Sequence, residues 1–179
     1  MLGKVLVGSI GALGAWEGAW ALRRYARRKH YYKKAYDRAA QLGRPLVVIG
    51  DPSGGLTHGY GCGDVCIDLH GCDCSAQITA DITQNIPLRD DSSVVYVSCV
   101  LEYVDDPASA ANEITRVAGS NDNIYVVTVE PWTFTSRMIP GAKWIVNGPP
   151  VGDFSFKPIR GLTTGDGSFA STRQRGIIR

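Results

Sequence analysis

The apolar positions of this chain change period several times, and each change marks an element. Val5 to Leu22 is an almost unbroken apolar run of 18 residues, with Glu17 its single charge. At about 1.5 Å per helical residue it spans roughly 27 Å, close to the depth of a bilayer's hydrocarbon core. From His30 to Leu42 the pattern turns helical, with Tyr32, Tyr36 and Ala39/Ala40 on a shared face. Gly43 and Pro45 then end the helix. Short β-like runs follow at Leu46–Ile49, Val65–Leu69, Gln77–Ile82, Val94–Val100 and Asn123–Val129. The continuous apolar character of the first, fourth and fifth predicts strands covered on both faces, as in a parallel sheet. Between the fourth and fifth, Pro107–Val117 predicts a helix with Asp106 as N-cap and Pro107 in its first turn. Ala110 or Ala111, Ile114 and Val117 form its buried stripe, and Gly119 closes it. Strand, helix and strand in this order imply a right-handed parallel crossover.

Length and charge refine this outline. The 179 residues, 44% of them hydrophobic, suffice for one domain with a real core. The net charge of +2 conceals three blocks. Residues 1–44 hold ten Lys/Arg against two acids, residues 45–150 four against thirteen, and residues 151–179 five against two. A uniformly basic nucleic-acid binder is excluded, and no nucleic-acid motif accompanies the basic block.

The apolar run is therefore read as a transmembrane or hydrophobic anchor over residues 1–22, followed by a basic neck over 23–44. Trp16 and Trp20 share a helix face near the end of the run, where an aromatic belt belongs. The basic stretch 23–34 follows directly, which places the remainder on the cytoplasmic or virion-interior side. Its Arg/Lys/Tyr mixture suits anionic head groups, so membrane lipids are the expected partner of residues 5–34. Gly14 with Gly18, Gly11 with Ala15 and Gly8 with Ala12 give a small-xxx-small spacing that permits close helix approach. A helix buried in a larger protein assembly is the alternative.

Ala80 to Ala118 resembles the class I S-adenosylmethionine-dependent methyltransferases. The matching features are Asp81, Pro87-Leu88 with Asp90 and Ser92, Val100-Leu101-Glu102-Tyr103-Val104, Asp106-Pro107 and Arg116-Val117. The resemblance extends upstream to about Leu46 and downstream to about Trp144. It implies an α/β domain over 45–160 built on a reduced, mostly parallel Rossmann-like sheet, with S-adenosylmethionine as cofactor. It places Gly50, Asp51, Gly54 and Gly55 in the glycine-rich cofactor loop and Asp68 at the ribose hydroxyls. It puts Asp81 and Ile82 at the adenine, and Ser98 and Cys99 beneath the methyl-donor sulfonium. All fall at carboxyl ends of strands, where open α/β sheets bind ligands. Lys143–Val146 and Phe154–Lys157 match the family's terminal antiparallel strands.

The chain also departs from the family. Only nine residues, Leu56 to Asp64, separate the glycines from the second strand, so the family's cofactor-binding helix is missing. Neither the second-to-third connection nor the stretch after Val129 reads as helical. A sheet so trimmed exposes apolar faces, which the N-terminal segment, the membrane or partner subunits must cover. Four of the five cysteines, Cys62, Cys66, Cys72 and Cys74, are expected as reduced thiols. Their spacing lacks the paired C-x2-C form, so zinc is the weaker reading. A disulfide is weaker still on the cytoplasmic side. His58 and Tyr60 are the nearest acid–base groups, with an exposed-loop role preferred. Glu102 reads as structural at the turn leading into the helix, and Trp132 as a core aromatic. The composition of residues 161–179 predicts a flexible basic tail.

Two functions compete: methyl transfer to an unidentified acceptor, and a catalytically degenerate structural subunit of a membrane-associated assembly such as a virion or organelle complex. The missing helix favours the second, and Asp68 and Asp81 favour the first. Other protein subunits are expected partners. A regulator acting at a lipid surface through the basic neck is a third reading.

Overall fold

The computed structural model describes residues 2–53, 59–129, 133, 141–148, 151 and 154–159, with side chains from residue 11 onward. With no proline before Pro45, residues Leu2–Leu42 form one uninterrupted 41-residue helix, α1. The segments expected as anchor and neck are successive turns of a single rod. Among the described residues, no helix is long and apolar enough to cross a membrane.

The second half of α1 packs on the domain. Arg28, Ala35 and Ala39 are buried, and Tyr31 and Tyr32 partly so. These positions recur every three or four residues, which is one helix face. Tyr36, expected on that face, is 55% exposed. The small alanines take the inward positions and let the helix lie close to the sheet.

Five strands form that sheet: β1 (Leu46–Ile49), β2 (Val65–Asp68), β3 (Gln77–Thr79), β4 (Val94–Ser98) and β5 (Ile124–Val127). Their order is β3-β2-β1-β4-β5, with every pairing parallel, an arrangement consistent with a Rossmann-like fold. All five lie within the expected runs. α2 (Pro107–Ala118) joins β4 to β5 as the crossover. Asp106 accepts hydrogen bonds from the Ala108 and Ser109 amides at its start, and Gly119 ends it in the left-handed region. β6 (Trp144–Asn147) and β7 (Ser155–Pro158) pair antiparallel as a separate ribbon, within a residue of the expected strands.

Alternation along the strands divides the core in two. Val47, Ile49, Val95, Val97 and Val126 face α2, where Ala110, Ile114 and Val117 meet them. Leu46, Val48, Val94, Tyr96, Tyr125 and Val127 face α1. The N-terminal helix thus covers this face of the sheet. Among the described residues no helix joins β1 to β2 or β2 to β3. The tail over 161–179 lies outside the described residues.

Candidate functional site

From β1 the chain runs outward to β2 and β3, then returns to place β4 on the other side of β1. This reversal opens a crevice at the carboxyl ends of the strands. A cleft of about 380 Å³ lies there. Asp68, Asp81, Ile82 and Cys99, four of the residues implied by the family resemblance, line it together. Ile49, Leu69, Val100 and Val104 give it apolar walls, and His70, Tyr103 and Asp105 complete its polar rim.

The remaining expected residues stand elsewhere. Gly50 adopts φ +104°, and a Cβ there would lie 2.8 Å from the Ser98 carbonyl oxygen and 2.7 Å from a Val100 methyl. The close approach of β1 and β4 and the positive φ thus require a glycine here. Asp51 turns its carboxylate onto its own loop, accepting from the Ser53 amide (3.0 Å) and hydroxyl (2.5 Å). Ser98 is buried on the α1 face of β4, outside the cleft lining. Gly54, Gly55 and His58 fall outside the described residues, as does Trp132.

The two cleft acids are engaged by the loops that carry them. Asp68 accepts from the amides of Asp51 (3.2 Å) and His70 (2.9 Å), joining the ends of β1 and β2. Asp81 accepts from the Thr83 amide (2.9 Å) and hydroxyl (2.7 Å), closing the turn after β3. The best lone pairs of both carboxylates are thereby occupied.

Behind the cleft, at the end of β4, lies a polar cluster contributed by both α1 and the sheet. The Arg28 guanidinium donates to the Cys99 sulfur at 3.0 Å and lies 5.8 Å from the Tyr60 ring centre. Cys99 holds φ +53°, a left-handed conformation uncommon for a side-chain-bearing residue. Burial raises its thiol above the ordinary range, and the neighbouring Glu102 adds to this. Glu102 is 2% exposed. One carboxylate oxygen accepts from the Val129 amide at 2.8 Å, and the other has no hydrogen-bond partner. Burial pushes this carboxyl up to about 7, against the pull of the Val129 amide, Arg28 and Arg24. Its backbone carbonyl also accepts from the Lys143 and Trp144 amides, so the residue ties β4, β5 and β6 together, as a structural reading expects.

Two expectations are corrected here. Tyr60 is not an exposed loop residue. Its hydroxyl donates to the Asp51 carbonyl, and its ring packs 5.2 Å from that of Tyr96 against the α1 face of the sheet. The four clustered cysteines are not reduced thiols: Cys62 pairs with Cys74, and Cys66 with Cys72. The physical reason is the short β2–β3 return, which folds residues 70–76 back against β2 and the segment before it. Cys99 is the free cysteine. Among the described residues, no group of three His, Cys, Asp or Glu is placed to hold a metal ion.

Sequence reasoning assigned Arg28 to the lipid-facing neck and missed its place at the site. The signal was present: Arg28, Tyr32, Ala35 and Ala39 follow helical spacing from a small-residue face. No protein-family model matches the chain, and neither does any curated protein or solved structure.

Proposed function

We propose that this chain is a membrane-anchored, methyltransferase-like protein that has lost catalysis and serves as a structural subunit of a membrane-associated assembly, such as a virion or organelle complex. The observation that carries the reading is Asp68. The carboxylate at the position for ribose hydroxyls instead fastens two loops of its own chain. Asp81 does the same for the turn after β3. The family's cofactor-binding helix has no counterpart among the described residues between β1 and β2. The crevice remains, while the groups that would grip S-adenosylmethionine serve the fold.

The anchor reading rests on the first half of α1, where Leu13, Trp16 and Leu22 are 51%, 52% and 73% exposed. Apolar groups so exposed gain from transfer into lipid or against a partner subunit. The two disulfides favour a virion or organelle setting over the reducing cytosol.

A second reading, an active S-adenosylmethionine-dependent enzyme, draws on Glu102 and Cys99. A buried carboxyl titrating near 7 beside a strained residue at a crevice is a common catalytic arrangement. Calorimetric titration of the full chain with S-adenosylmethionine separates the two. The structural reading expects no binding stronger than about millimolar. Micromolar binding that is lost in Asp68→Ala would replace it with the enzyme.

A further inference from the structure

Granted that α1 is a bilayer anchor, we infer that the cleft is held at the head-group layer and takes the positively charged head group of a membrane-resident amphiphile. The argument begins with the direction of α1. Arg38 donates to Asn123, just before β5, and the Arg44 amide donates to the Ala39 carbonyl just ahead of β1. The C-terminal end of the helix therefore lies at the amino edge of the sheet. Ten residues earlier, Arg28 meets Cys99 at the carboxyl end of β4, and its carbonyl accepts from the Tyr96 hydroxyl. The helix thus runs antiparallel to the strands and leaves the domain past their carboxyl edge. That is the edge on which the cleft opens.

Distances along the rod set the depth. Leu22 ends the apolar run, and Arg28 lies six residues further on. At 1.5 Å per residue this is about 9 Å. The polar layer on each side of the hydrocarbon core is of similar thickness, roughly 5–8 Å. A bilayer that takes up residues 5–22 therefore meets the carboxyl edge of the sheet at its head groups. No hinge intervenes, because α1 is continuous from Leu2 to Leu42.

The cleft's chemistry selects the occupant. Asp68 and Asp81 stand in its wall with no Lys or Arg among the lining residues, and Asp105 at the rim is paired with Lys143, so acids remain in excess and a cation is preferred over a phosphate alone. Tyr103 is among the lining residues, and an aromatic ring is the kind of group that attracts an ammonium. Leu69, 58% exposed at the rim, provides an apolar contact where an acyl chain would begin. A soluble nucleoside explains the acids but not why the opening shares its edge with the exit of an apolar helix.

The test uses the full chain in vesicles, with a photoreactive benzophenone residue in place of Leu69 or, at the opposite edge of the sheet, of Asp122. Both positions are exposed, and circular dichroism checks that each variant is folded. Flotation with phosphatidylcholine or phosphatidylglycerol vesicles reports the anchor, and lipid adducts after illumination report the cleft. The proposal expects flotation with both lipids and adducts from position 69 but not from 122. Per floated protein, position 69 should yield several-fold more adduct with phosphatidylcholine than with phosphatidylglycerol. Flotation without adducts at 69, equal adducts at both positions, or equal yields from both lipids overturns the inference and leaves the anchor standing. Failure to float overturns the anchor reading and the inference with it.

Discussion

The two faces of the central sheet are built by different means. On one, α2 arrives directly from β4, and its stripe of Ala110, Ile114, Val117 and Ala118 closes on valines and isoleucines. Every buried side chain of that stripe is aliphatic. On the other, α1 leads into β1 through residues 43–45 and presents alanines, so tyrosines fill the remaining space. Tyr32, Tyr60 and Tyr96 pack edge-on or tilted at 5.2–6.3 Å, with Arg28 above them and Glu102 close by. The first face is a plain apolar core, and the second carries the charge. Polar chemistry accumulates where the cover is supplied from outside the crossover.

The difference can be broken most strongly on the α2 face. Ile114 is fully buried, and Ile114→Ala should cost about 2–5 kcal/mol, because the rigid sheet and helix leave a cavity that collapses little. Chemical denaturation would measure it, and a loss below the size of an exposed substitution would mean that this face is loosely packed. On the α1 face the corresponding lesion is an excess of volume. Ala35 is fully buried, and Ala35→Leu should cost about 1–3 kcal/mol by lifting the helix from the tyrosines. Tyrosine fluorescence should change with it, whereas Ile114→Ala should leave that signal near its parent value.

A third test concerns pH. Burial holds the Glu102 carboxyl at about 7 in the folded chain, above the value near 4.3 of an unfolded glutamate. Its contribution is therefore fully present below about pH 4.3 and is lost as pH rises through 7. Glu102→Gln retains an acceptor for the Val129 amide and removes this dependence. The variant should match the parent in stability near pH 4 and exceed it near pH 8. Parallel stability curves across that range would show that the carboxyl is solvated or paired.

The α2 face was readable in the sequence almost residue by residue. Asp106, Pro107, the apolar stripe and Gly119 are local signals, each acting within one turn of the helix. The five strands of the sheet were readable for the same reason, whereas the terminal ribbon was expected only through the family resemblance. The site was less so. Asp68, Asp81, Ile82 and Cys99 do share one cleft, but what their side chains bind depends on neighbouring loops. The part played by Arg28 depends on a pairing across 71 residues, which periodicity does not report. On α1 the expected face holds for Tyr32 and Ala39, whereas Tyr36 is exposed and Ala35 takes an inward position. The disulfides were discounted because compartment, an inference about location, was given more weight than proximity.

Those disulfides bear on how the outer strand can exist at all. Parallel neighbours ordinarily need a connection of a dozen or more residues, enough for a helix to carry the chain back. β2 and β3 are parallel, yet only residues 69–76 lie between them. Cys66–Cys72 fastens this short return to β2 itself, and Cys62–Cys74 fastens it to the segment before β2. Covalent bonds thus take over a task that helix packing performs elsewhere in the sheet. Completion of the outermost strand becomes an event of oxidation as well as of folding. A chain made under reducing conditions would reach β1, β4 and β5 by burial alone and wait for an electron acceptor to set its edge.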